Sequence, residues 1–162
     1  MNSAKQNRPR PVDTIDRRIL GLLQNDGRMS NANLAEAVGL SAAACHARVK
    51  ALESAGVIDR YVALLSPKHT GRSQTVFVHI TLSSQTSKAL AEFEQAVSRS
   101  THIQQCHLMS GEDDYLLQVI VRDATEFEEL HHGFLTCLPH VARVSSSFAL
   151  RAVRRTTRVP LD

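Results

Sequence analysis

The 162-residue sequence holds no apolar run approaching the eighteen or so residues of a membrane span. Its N-terminus has no hydrophobic secretory core, so a cytoplasmic location and no membrane partner are expected. Cysteine is scarce: Cys45, Cys106 and Cys137 are odd in number and show no CxxC spacing, which argues against a disulfide framework or a zinc site. Each reads instead as a small buried thiol. His131 and His132 with Cys137 come nearest to a metal set, but adjacent residues on a helix point about 100° apart. There is no Ser/His/Asp arrangement, metal-ligand spacing or phosphate-cradling loop. No catalytic residue, metal or cofactor is therefore expected.

What is present is an uneven charge distribution in an otherwise ordinary composition, 22% charged and 43% hydrophobic. The net charge is +3. Residues 1–60 carry nine Lys/Arg against six Asp/Glu, residues 61–142 five against nine, and the last twenty five Arg against Asp162. The length allows one medium domain or two small ones. A basic N-terminal unit beside an acidic middle suits a nucleic-acid-binding head on a body with another task.

The head is legible in residues 30–56, SNANLAEAVGLSAAACHARVKALESAG. Leu34, Ala35 and Val38 form an apolar stripe at helical spacing, and Gly39 supplies the positive φ of a helix stop. Leu40 plugs the corner and Ser41 is positioned to cap a second helix. Along that helix Cys45, Val49 and Leu52 make one buried face, while Ala43, His46, Ala47 and Lys50 point away and Arg48 flanks the seam. A small Ala35 lets the helices approach closely. This is a helix-turn-helix, whose second helix enters the DNA major groove. The expected DNA-contacting set is Ser30, Asn31, Ser41, Ala42, Ala43, His46, Arg48 and Lys50, with Arg48 and Lys50 anchoring phosphates and His46 with exposed alanines at base edges.

Four segments follow from the remaining pattern. Residues 1–12 are polar and proline-rich and read as a flexible arm. Residues 13–59 form the head, opened by a helix capped by Asp13 or Thr14 and closed at Gly56, with Val57 and Ile58 returning to the core. Residues 60–72 connect, with Tyr61 to Leu65 able to pair as a short strand. From 73 to 162 the period alternates between two and 3.6, predicting strands over 74–83, 103–110, 114–122 and about 141–152, with helices presenting Leu90, Phe93 and Val97, then Phe127, Leu130, Phe134 and Leu138. The order βαββαβ is that of the ferredoxin-like fold, so the class is α+β. The strand at 115–121 is apolar on both faces, so a second subunit's sheet is expected to cover the face the helices leave open.

Taken in order, DTIDRRILGLLQNDGR, LAEAVGLS, RVKALESAGVI, YVALL, SGEDDYLLQV and VARVSSSFALRAV resemble the blocks of the Lrp/AsnC (feast/famine) transcriptional regulators, over about Val12 to Leu161. The resemblance implies a winged-type helix-turn-helix followed by a ligand-sensing (RAM) domain. It implies dimers that often assemble into octameric discs, and double-stranded DNA and a small effector, usually an amino acid, as partners. The effector would bind beside the loop that reads Met109, Ser110, Gly111, Glu112, Asp113 and Asp114, where Gly111 and Asp114 fall on recurrent positions of the family. On chemical grounds Asp114 or Glu112 suits the ammonium of an amino acid and the amides near Gly111 its carboxylate. Read without the resemblance, the same loop is a hairpin turn with solvated carboxylates.

The recognition helix departs from the family pattern, in which a proline often stands near its start and two consecutive basic residues where this chain has Ala47-Arg48. Two other readings remain open on the same fold. One is an enzyme resembling the siroheme decarboxylases, since the chain has eight histidines. The other is an architectural protein that coats DNA without an effector.

Overall fold

The computed structural model describes residues 11–161, which divide into two compact units. One comprises 11–64 together with 154–161, the other 65–153. Most of the arm expected over 1–12 lies outside the described residues.

The first unit is built on three helices, α1 (Thr14–Asn25), α2 (Asn31–Val38) and α3 (Ala42–Ser54). Each begins on a short polar side chain that accepts from a free amide of the first turn. Asp13 caps α1 in a reciprocal box with Asp16, Ser30 accepts from Asn33 N, and Ser41 accepts from Ala44 N. Gly39 ends α2 at φ 72°, the left-handed conformation the turn requires. Gly56, at φ 69°, ends α3, and Val57 N–H returns to the Leu52 carbonyl at 2.9 Å. Ile58 packs on the core there, but Val57 stays exposed. The core is Ile19, Leu20, Leu34, Ala35, Val38, Cys45 and Leu52.

The connector differs from expectation. Residues 59–66 form no strand, and Val62, Leu64 and Leu65 are exposed. None of these residues is paired in the sheet, whose four strands are β2-β3-β1-β4. Residues 154–161 also fall with the helical unit, whereas the sequence reading placed them with the sheet domain. Gln24 of α1 accounts for this: its amide nitrogen donates to the Val159 carbonyl at 3.1 Å and its oxygen accepts from Val159 N–H at 2.6 Å.

The second unit is β1 (Gln74–Leu82), α4 (Ser87–Val97), β2 (Ile103–Leu108), β3 (Tyr115–Val121), α5 (Ala124–Gly133), a 3-10 turn (Leu135–Cys137) and β4 (Val141–Phe148). The sheet order is β2-β3-β1-β4 with every pair antiparallel, the ferredoxin-like arrangement. Val76, Val78 and Ile80 of β1 and Leu117, Val119 and Val121 of β3 meet Phe93 of α4 and Phe127 and Leu130 of α5 in the core. On the other face Phe77 and His79 lie beside Leu116 and Gln118 and beside Ser145 and Ser147. The last strand stops at Phe148, four residues before its expected end, because Ala149 N–H to the Thr75 carbonyl is its last rung and Leu150 is fully exposed. No helix among the described residues is long and apolar enough to cross a membrane.

Candidate nucleic-acid interface and ligand loop

On α3 the buried face is narrow, with Cys45 and Leu52 enclosed. Ala42, Ala43, His46, Ala47 and Lys50 are exposed, as the helical spacing requires. Other members of the expected DNA-contacting set have duties within the unit. Ser30 and Ser41 are helix caps, and the Asn31 amide donates to the Ala42 carbonyl at 2.8 Å, bracing the start of α3. Lys50 pairs with Glu53 at 2.8 Å on the surface. Tyr61 donates to the other oxygen of Glu53 at 3.2 Å.

Arg48 departs most from the role expected of it. Its guanidinium donates to Asp13 at 2.6 Å and to Asp16 at 2.9 Å, and the Asp16 side chain is wholly buried. The Asp16 backbone amide and then Arg48 hold the Asp13 carboxyl below its ordinary range, and the two carboxylates hold Arg48 more firmly protonated. This arginine ties α3 to the first turn of α1 instead of presenting an unengaged charge.

The loop between β2 and β3 is closed by Met109 N–H to the Asp114 carbonyl at 2.8 Å. Asp114 is buried: one carboxylate oxygen accepts from Leu82 N–H at 2.7 Å and the other from the Gln85 amide at 2.7 Å. It fixes the loop to the end of β1. Asp113 gathers His79 Nδ1 at 3.0 Å and Arg143 Nη2 at 3.1 Å. Sequence spacing gives no sign of this cluster, since β1, β4 and the loop meet only through strand register. Glu112 is 88% exposed, 3.6 Å from Arg143.

Gly111 is informative for what surrounds it. Its φ is not in the left-handed region, and a Cβ built there would meet nothing within 4 Å. Neither backbone strain nor packing within the chain requires glycine at this point. Met109 and Leu108, both exposed, supply apolar surface next to it. Among the described residues no group of three His, Cys, Asp or Glu is placed to hold a metal ion.

Two family models match these two parts of the chain. Residues 12–59 match a winged helix-turn-helix DNA-binding model, and residues 75–159 match the Lrp/AsnC ligand binding domain. The leucine-responsive regulatory protein of Klebsiella pneumoniae is 39% identical over 159 residues, covering 98% of this chain and 97% of that protein. A transcriptional regulator of Neisseria meningitidis, solved as a complex with L-Met, superimposes with a TM-score of 0.89 at 34% identity, over 94% of this chain and 98% of that one. An AsnC family transcriptional regulator from Agrobacterium tumefaciens gives a TM-score of 0.87 at 37% identity, over 91% and 96%. The chain belongs to the Lrp/AsnC family of transcriptional regulators, with a helix-turn-helix DNA-binding domain and a ligand-binding domain.

Proposed function

We propose that this regulator is an oligomer, built from dimers, that occupies DNA through α3 and senses an apolar amino acid at the loop 109–114, without catalysis. The observation that carries the sensing half is the open backbone at Gly111 with exposed Leu108, Met109 and Glu112 on the same loop. A ligand can approach the backbone closely there. Loop amides take the ligand carboxylate, and exposed Glu112 accepts from its ammonium. Asp114 acts as a positioning residue, because Leu82 and Gln85 already occupy its oxygens. Apolar surface at Leu108 and Met109 suits a leucine- or methionine-like side chain.

At the DNA, Ala42, Ala43 and His46 face base edges and Lys50 faces phosphate. Alanine methyls suit the thymine C5-methyl group. Arg48 becomes a positioning residue that sets α3 against α1. The open sheet face with Phe77, Leu116 and Ile120 is covered by a second copy of the chain, which fixes the separation of two α3 helices. A cytoplasmic location follows from DNA as partner.

Calorimetric titration of the full chain with each amino acid in turn tests the sensor. Leucine, methionine or a close analogue is expected to bind and to alter occupancy of a DNA duplex selected from a random pool. Gly111→Val is expected to abolish the heat without moving the unfolding midpoint. Binding by no amino acid, or undiminished binding to Gly111→Val, contradicts the proposal.

A further inference from the structure

The chain beyond Phe148 carries Arg151, Arg154, Arg155 and Arg158, with no carboxylate between Leu150 and Leu161. From Arg154 onward it belongs to the helical unit, held by the paired bonds between Gln24 and Val159. A side-chain amide bonded to both the N–H and the carbonyl of one residue sets the register of the tail on α1, as one rung of an antiparallel ladder would. Arg17 lies two turns before Gln24 on the same face of the helix. Between helix and tail is an open cleft of about 410 Å³, whose walls include Arg17, Gln24, Arg154, Thr156 and Arg158.

Among the described residues, three arginines and no carboxylate line that cleft. Among the described residues none of the three forms an ion pair, in contrast to Arg48 and Lys50 on α3. All three are exposed. A pocket selecting a small anion buries its donors, whereas hydrated, exposed guanidiniums suit a polyanion whose condensed counterions they displace. The recognition helix gains from help of this kind, because Arg48 is engaged with Asp13 and Asp16 and Lys50 is left to face phosphate.

We propose that the cleft between α1 and the C-terminal tail receives the phosphodiester backbone of DNA, a sequence-independent grip separate from α3. The proposal rests on the DNA-binding reading above. It gives the tail a role in affinity and none in base discrimination.

The test is fluorescence anisotropy of the full chain on two duplexes, one selected from a random pool and one of mixed sequence, over a range of KCl. For Arg154→Ala with Arg158→Ala, the plot of log affinity against log salt is expected to become shallower by about 2 per bound head. Affinity should fall by the same factor on both duplexes, and Arg154→Lys with Arg158→Lys should restore most of the slope. Unfolding midpoints should match, since the replaced side chains are exposed. An unchanged slope, with His46→Ala still weakening only the selected duplex, overturns the tail site and leaves the α3 reading standing. Absence of DNA binding by the unaltered chain overturns both. Saturable binding of inorganic phosphate that the double alanine variant removes, with no change of slope on DNA, overturns the backbone assignment in favour of a small-anion pocket.

Discussion

Arg48 looks from its position on the recognition helix like a phosphate anchor, yet its guanidinium bridges Asp13 and Asp16. Asp16 is buried, so removing the arginine takes away a cation from a carboxylate that water does not reach. Arg48→Ala is therefore expected to lower the thermal unfolding midpoint by several degrees and to let the Asp13 carboxyl titrate nearer its ordinary range, which NMR titration follows. At temperatures where that variant is folded, the salt dependence of its DNA affinity should equal that of the unaltered chain. A shallower slope would return Arg48 to the phosphate contacts. Asp114 teaches a similar lesson at the ligand loop, where a carboxylate that suits an ammonium is held by Leu82 and Gln85.

Among the elements, α5 has the clearest electrostatic device. Glu126 in its first turn accepts from Arg122 N–H at 2.6 Å and pairs with Arg72 at 2.6 Å. The Arg122 backbone bond, followed by the pairing with Arg72, lowers the Glu126 carboxyl from 4.5 to about 2. A carboxyl lowered on folding stabilises fully above its unfolded value and progressively less as pH falls through its folded one. The contribution is thus complete above about pH 4.5 and fades toward pH 2. Glu126→Gln should lower the unfolding midpoint at neutral pH and flatten its decline over that acid window. A parallel decline in both proteins would place the sensitivity elsewhere.

The caps at Ser30 and Ser41 and the stop at Gly39 are interactions between residues three or four apart, so spacing and residue type reveal them. Strand alternation through Val76, Val78 and Ile80 is equally local. The Arg48 bridge spans 35 and 32 residues and the Gln24–Val159 pair spans 135, distances over which no periodicity speaks. The connector at 61–65 has strand-like composition but forms no strand, and composition alone does not supply a partner.

For the whole molecule, the helical unit touches DNA, the sheet unit senses, and one chain supplies both. On the proposal that the open sheet face joins two copies, a ligand that prefers one assembly shifts occupancy of DNA. All of this requires the exposed first turns of α3 to enter the groove. Ala43 permits a direct test, because it is exposed and is the second residue of α3. A glutamate there favours the helix dipole, so folding is preserved while a negative charge faces the duplex. The deciding measurement is the affinity of Ala43→Glu for the selected duplex beside its thermal unfolding midpoint. The expected result is an unchanged or higher midpoint with affinity at least about tenfold weaker, ~1.4 kcal/mol. Undiminished affinity would mean that α3 does not face DNA.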